Sequence, residues 1–360
     1  MLGVLDTFRK ELPTLADMSP SRNCVRVAAT LAAISLLAAS CGGDDASITL
    51  YSGRGEKLIQ PIIDEFEEAS GISVEVKFGN SANLALLIDE EGAAGEIAAD
   101  VFLSQSPGSM GFLEERGRLG AVPESTLALV PDNVRDDGGS WVGFSGRQRV
   151  LVYNTDAVDP ADLPSSVFDM ADPQWRGRVG VAPANGSFQD FVTAMRATQG
   201  DATTLEWLKA LDANDPVLYA NNNSIVAAVG RGEVDTGLVN HYYNYRALAE
   251  NPDQPSANHV FAADDPGAVL IITGAAILAD ADDVEPAAQL IDFLLGSSGQ
   301  QYFATKTFEY PLAIGESPAN NVPPINFSSD VSNAGGIAFE DLAGGLEATR
   351  ALIAESGLES

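Results

Sequence analysis

Apolar residues recur along most of this chain with two alternating periods, and the alternation predicts a helix-covered sheet. Ile48–Tyr51 is a short apolar run with strand character. The turn Ser52-Gly53-Arg54-Gly55 separates it from a stretch over Lys57–Ser70 with Leu58, Ile62, Ile63 and Phe66 at helical spacing. Gly71 supplies a helix stop. Ile72–Phe78 alternates as a strand, Asn80–Glu91 reads as a second helix, and Ala99–Leu103 as a buried strand. This β-α-β-α-β order predicts a parallel sheet with helices packed on it. Further along, Gln148–Tyr153, Val179–Ala182 and Thr236–Asn240 read as strands, as do Ala268–Thr273 and Ala275–Leu278. Helices are expected over Phe188–Thr198, Thr203–Ala213, Ser224–Gly230, Val284–Leu295 and Phe339–Ser356. No internal repeat or low-complexity segment interrupts the pattern.

The amino terminus has a different pattern. Arg22 and Arg26 precede an apolar stretch from Val27 to Ala39, followed by Ser40-Cys41-Gly42-Gly43. About a dozen apolar residues are too few for a bilayer, which needs ~20, so residues 1–40 read as an export signal, with Met18 as an alternative start. Ala38-Ala39-Ser40 before Cys41 resembles a lipobox, whose Cys is lipidated and becomes the first mature residue. Residues 41–46 then form a lipid-attached tether on the outer face of a cytoplasmic membrane. The alternative is an ordinary secretory signal with an incidental Cys. Only Cys24 and Cys41 are present, so the exported part has no thiol and no disulfide.

Composition narrows the function. The net charge is −31 and the pI near 4.1, which argues against nucleic acid and against an anionic ligand arriving without a cation. The acidic residues are scattered, as solubility requires, and the roughly 320 residues beyond the leader allow two domains.

The run Asn240-His241-Tyr242-Tyr243, following Arg231-Gly232-Glu233-Val234-Asp235, carries the most specific chemistry. Phenolate oxygen is hard and anionic, and it suits a small trivalent cation such as Fe³⁺. A free phenol titrates near pH ~10, so only a strong Lewis acid displaces its proton at neutral pH. The alternative is two aromatics on a half-buried element. His241 and His259 are the only histidines and lack metal-ligand spacing. Asn240 is placed to cap the helix that holds the tyrosines.

In order and spacing, Leu50-Tyr51-Ser52-Gly53-Arg54, Ala99–Gln105, Pro183–Gln189 and Arg231–Tyr243 together resemble the bacterial extracytoplasmic ferric-ion-binding proteins, the substrate-binding components of iron ABC importers. The resemblance covers nearly all of residues 47–360. It implies an α/β, two-lobed periplasmic binding protein-like fold (type II), with a ligand cleft between lobes joined by a two-strand hinge. Residues 47–147 plus about 270–322 would form one lobe, and 148–269 plus about 323–360 the other. The crossings are expected near Gln148–Tyr153 and Val269–Ile277.

The resemblance assigns Fe³⁺ to Tyr242 and Tyr243. It assigns a synergistic phosphate or carbonate to Asn185, Gly186 and Ser187, with Asn240 and Asn222 in support. It implies a monomer that is not an enzyme and that delivers iron to a permease and its ATPase. Departures from the family pattern are visible. Where some members carry a His, the first loop has Gly55 followed by Glu56; where they carry a Glu, the second has Gln105. Glu56 is therefore either a substitute ligand or a solvated helix start, and Gln105 either orients a water or anion or makes a loop hydrogen bond. Arg54 either binds the anion or pairs with an acidic residue. Tyr51 either faces the cleft or lies in the core, and Tyr153 reads as core or hinge. The alternative ligands on the same scaffold are an organic phosphonate, a polyamine or thiamine. An exported hydrolase is disfavoured because neither Gly143–Gly146 nor Asn185–Ser187 forms a nucleophile elbow.

Overall fold

A computed structural model describes residues 46–282, 284–325 and 345–358. The leader, Cys41 and the start of the expected Phe339–Ser356 helix lie outside the described residues. The elements in chain order are β1 (Ser47–Ser52), α1 (Glu56–Ser70), β2 (Ser73–Phe78), α2 (Ser81–Ala94), β3 (Val101–Ser104), α3 (Pro107–Glu115), α4 (Glu124–Leu127) and β4 (Val142–Asn154). Next come β5 (Val179–Val181), α5 (Gly186–Gln199), α6 (Asp201–Asp212), β6 (Val217–Leu218), α7 (Asn222–Gly230), β7 (Thr236–Asn240) and α8 (His241–Glu250). The last are β8 (Ser256–His259), β9 (Leu270–Ile277), α9 (Val284–Leu295), α10 (Ser297–Tyr302), β10 (Tyr310–Pro311) and α11 (Leu346–Ser356).

The helix α1 shows why the pattern works. Ile59, Ile62, Ile63 and Phe66 fall on one face and are buried, each worth about 1.5–3 kcal/mol of apolar transfer. Gly71 ends the helix in the left-handed region, with φ 74°, a conformation that costs glycine little.

The strands run in the order β2-β1-β3-β9-β4-β7-β5-β6, with β8 and β10 also paired to β4. β1 lies parallel to β2 and β3, whereas β9 returns antiparallel to both β3 and β4. Two regions of apolar core hang on this sheet. One gathers β1, β3, α1 and α9 residues such as Leu50, Phe66, Phe102 and Ile291. The other lies beyond the midpoint of β4, where alternation splits it into two faces. Leu151, Tyr153 and Leu238 point to a cluster with Phe188, Trp207 and Ile353, and Val150, Val152 and Val239 to one with Ile225 and Val229. Tyr153 is thus a core residue. The helix α7 lies so close to β7 that a Cβ on Gly237 would sit 2.1 Å from Ile225 Cγ2.

β4 joins the two core regions. Its thirteen residues are all buried. Arg147 and Gln148 pair with Ile271 and Leu270 of β9, whereas the next residue, Arg149, pairs with Asn240 of β7. The returning segment alternates as it crosses: Leu270 and Ile272 join the first core, Val269 and Ile271 the second. The two strands expected at Ala268–Thr273 and Ala275–Leu278 are one. Gly274 does not break the ladder, because it pairs with Ser104 and Gly143 and packs under Met110. Among the described residues no helix is long and apolar enough to cross a membrane.

Candidate metal centre

β7 runs directly into α8, so the last strand residue, Asn240, and the first-turn residues Tyr242 and Tyr243 sit together at the carboxyl end of β7. The two tyrosine rings stack with centroids 4.2 Å apart and an interplanar angle of 28°. Tyr242 is buried and Tyr243 half-buried, and Tyr243 lines a cleft. Burial first, and then the neighbouring Tyr243, push the Tyr242 phenol well above its ordinary value, against the opposing charge of Arg147. In the metal-free protein Tyr242 is therefore a neutral phenol at physiological pH.

Across the cleft lies the start of α5. Asn185 caps it, its Oδ1 accepting from the Ser187 N–H at 3.0 Å and from Ser187 Oγ at 2.7 Å. Ser187 Oγ in turn accepts from Asn222 Nδ2 at 2.9 Å. Asn222 Oδ1 and both amide atoms of Asn240 are buried without a hydrogen-bond partner. Such orphans are costly and mark a polar site. Asn185, Gly186, Ser187, Gln105 and Tyr243 all line one cavity of ≈190 Å³. Asn222 sits behind it, on Ser187.

Three charged residues of this site escape the sequence reading. Arg147 is 3 % exposed and lines the cavity; it donates to the Gln105 carbonyl, while its Nε has no partner. Arg149 is fully buried. It donates to the Leu238 carbonyl at 2.7 Å, reaches Ser187 Oγ at 3.4 Å and lies over the Phe188 and Phe191 rings. No carboxylate forms an ion pair with either arginine among the described residues. Burial pulls the Arg149 guanidinium down to about 9, against the opposing influence of Tyr243 and Asp190. The signal was present: two arginines at i and i+2 directly before the apolar run Val150–Val152, in a chain with only 20 basic residues.

Asp190, the third, accepts from Ser106 Oγ at 2.9 Å, a bond that spans the cleft from α3 to α5. Burial pushes its carboxyl up to about 6, opposed by Arg147, Ser106 and Arg149. Nothing in the sequence singles it out from the other acidic residues. The starts of α2, α3, α5 and α8 converge here with the arginines, so the cleft is electropositive within an acidic protein.

The structure decides several alternatives that the sequence leaves open. Arg54 does not reach the cavity. It is fully buried and forked onto Glu309, at 2.7 and 3.2 Å, because the interior beneath Phe144 and Phe303 leaves a guanidinium no other charge partner. Glu56 is exposed at the first turn of α1 and does not line the cavity. Tyr51 lies in the core, its hydroxyl donating to Glu91 at 2.9 Å. Asn240 holds the cap position but makes no capping hydrogen bond. His241 is buried, accepts the Gln148 N–H at 3.1 Å and stacks on Tyr310 at 4.5 Å. Among the described residues no three His, Cys, Asp or Glu side chains are placed to hold a metal. A cation here would rest on phenol oxygen and on oxygen brought in from solution.

Arg149 offers a test of this electrostatic arrangement. An unpaired buried cation is costly to fold around. Arg149→Met is expected to leave the midpoint of urea unfolding unchanged or raised in the metal-free protein, while weakening binding of phosphate to the cleft at least tenfold. A large loss of stability with phosphate binding intact would show that Arg149 serves the fold alone.

The model of a family described as bacterial extracellular solute-binding proteins matches residues 96–327. The chain is 32 % identical over 304 residues to an Fe(3+)-binding periplasmic protein of Serratia marcescens, covering 82 % of this chain and 88 % of the relative. It is 33 % identical over 289 residues to the major ferric iron-binding protein of Neisseria gonorrhoeae, covering 78 % and 85 %. Among solved structures it resembles iron-bound HitA from Pseudomonas aeruginosa, with a TM-score of 0.80 and 32 % identity over 87 % of this chain and 99 % of that one.

Proposed function

We propose, for a chain that belongs to the bacterial extracellular solute-binding proteins and carries their two-lobed type II fold, that it captures ferric ion outside the cytoplasm and delivers it to an ABC permease and its ATPase. The observation that carries this reading is the stacked Tyr242–Tyr243 pair, of which Tyr243 lines the small cleft shared with the capped start of α5. Two phenolates supply hard anionic oxygen, and an oxyanion at Asn185, Gly186 and Ser187 completes the shell and offsets the remaining charge. Arg147 and Arg149 hold that oxyanion from the strand side. Gln105 orients a water or the anion through its side chain. In the leader, lipidation at Cys41 would keep the protein on the outer face of the membrane, within reach of the permease. The similarity to proteins named for ferric iron supports the choice of cargo.

The test is a titration of the metal-free protein with ferric citrate, read by visible absorbance with and without added phosphate or carbonate. A saturable iron–tyrosinate band at one iron per protein is expected. A folded protein with no band would transfer the reading to an organic phosphonate, a polyamine or thiamine.

The pH dependence follows from the phenols. Each one that becomes a ligand releases a proton, and Tyr242 starts well above the ordinary phenol range. Iron affinity is therefore expected to fall by about 100-fold for each pH unit of acidification, the slope of two released protons. A slope near zero would exclude phenolate ligation.

A further inference from the structure

One edge of β4 carries two strands that do not meet. β10 pairs with Ser145 and Gly146, and β7 begins only at Arg149. β9 holds the opposite edge over this stretch. The Gln148 N–H falls in the gap between β10 and β7, and it donates to a side chain rather than to a strand carbonyl: the acceptor is His241 Nδ1, at 3.1 Å. Both residues are buried, so this N–H has no water to turn to. An imidazole nitrogen that accepts carries no proton, which leaves the hydrogen of the neutral ring on Nε2. The same ring stacks on Tyr310 of β10, with centroids 4.5 Å apart and an interplanar angle of 26°. His241 therefore closes the gap between the two strands with its own side chain.

His241 also opens α8, one position before Tyr242. The start of that helix is held from outside the helix. Asn240 stands at the cap without a capping hydrogen bond, and Asn258 Nδ2 of β8 donates to the His241 carbonyl at 2.9 Å. Three rings then follow one another from the β4 crossing toward the cleft. His241 packs edge-on against Tyr242, with centroids 6.0 Å apart and planes at 83°, and Tyr242 stacks on Tyr243 at 4.2 Å. Tyr310 belongs to the first core and Tyr243 packs against the second. The contacts of one imidazole thus run from one core region to the other.

We propose that His241 is a positioning residue: its imidazole pins the first turn of α8, and with it the pitch of Tyr242 and Tyr243, to the point where β4 changes partners. The hydrogen bond to Gln148 sets how far the turn stands from β4, and the stack on Tyr310 sets the plane of the ring. A movement of β4 at Gln148 is thereby passed to the two phenols. Without the acceptor, the buried Gln148 N–H becomes a costly orphan, and the turn shifts to relieve it. The consequence for the metal rests on the ferric reading of Tyr242 and Tyr243, and it deepens that reading by naming the group that sets their geometry.

Two substitutions separate the roles of the ring. His241→Phe keeps a ring against Tyr310 and removes the acceptor. His241→Asn gives up the stack and places Oδ1 close to where Nδ1 stands. In the metal-free protein the NMR signals of Tyr243, which stacks on Tyr242, are expected to move in His241→Phe and to return in His241→Asn. Ferric affinity, read from the visible band, is expected to fall about 10- to 100-fold in His241→Phe and to recover in His241→Asn. Unmoved Tyr243 signals or an unchanged iron affinity in His241→Phe would overturn the proposal, as would equal effects of the two substitutions. If His241→Phe does not fold, the parent protein decides: its Gln148 amide should exchange hydrogen far more slowly than an exposed amide, and fast exchange would overturn the proposal. If the parent protein takes up no iron with colour, the ferric reading falls, and the metal-free Tyr243 signals still decide whether His241 sets the position of the pair.

Discussion

Tyr243→Phe is expected to abolish the visible iron band and to weaken ferric binding by more than about 100-fold, beyond the loss that follows from removing a group that merely supports a ligand. The change deletes one oxygen and keeps the ring that stacks on Tyr242, so unfolding by urea should be unaltered. Tyr242→Phe should weaken iron to a similar degree for the same reason. Its effect on the metal-free fold should be small, since the ring fills the same buried space. The double variant should bind no iron with colour. Tight, coloured binding retained by that double variant would sink the tyrosine assignment. A band lost only because the protein has unfolded would show in circular dichroism.

The largest effect on stability is expected at Arg54. Its guanidinium and the Glu309 carboxylate are both wholly buried and forked together. Burial alone would push Glu309 up, yet the charge and hydrogen bonds of Arg54, with help from Arg147 and Thr307, hold it below the usual carboxylate range. Arg54→Met strands that carboxylate and should cost about 3–5 kcal/mol, read as a lower midpoint of urea unfolding. Arg54→Met combined with Glu309→Leu should recover most of the loss, because no charge is then left in the interior. Equal destabilisation in the single and double variants would refute the account. The pH dependence has a defined sign. A carboxyl depressed on folding adds stability above its unfolded value, near ~4.3, and loses it as pH falls through the folded one. The parent protein should therefore lose part of its margin in acid, and Arg54→Met should lose less.

Much of the fold is legible because period and element coincide. The helix over Val284–Leu295 and the strand over Thr236–Asn240 fall where the pattern puts them. The Lys57–Ser70 helix begins one residue early, at Glu56. The Pro107–Glu115 helix went unread, because its two glycines, its serine and its proline mimic a loop. It forms because Pro107 suits a first helical position and Met110 and Leu113 have a core to enter. At the site, Tyr243 and Asn185–Ser187 are separated by more than fifty positions in the chain, yet the fold brings them to one cavity, with Tyr242 stacked on Tyr243. From its loop Arg54 reads either as an anion ligand or as one half of an ion pair, and its partner Glu309 is 255 positions away. No local pattern encodes such a pair. Arg147 and Arg149 are hidden because the apolar residues of β4 carry its strand pattern, whereas the use of a buried charge depends on what the fold places across from it.

The placement of those two arginines has a mechanical side. They flank Gln148, and between Gln148 and Arg149 β4 exchanges its pairing to β9 for pairing to β7. A twist of the backbone at that point swings one guanidinium with the first core and the other with the second. If the strand bends there, the two positive charges separate and the positive potential between them falls, so that a hold on an anion shared by both would weaken with the bend.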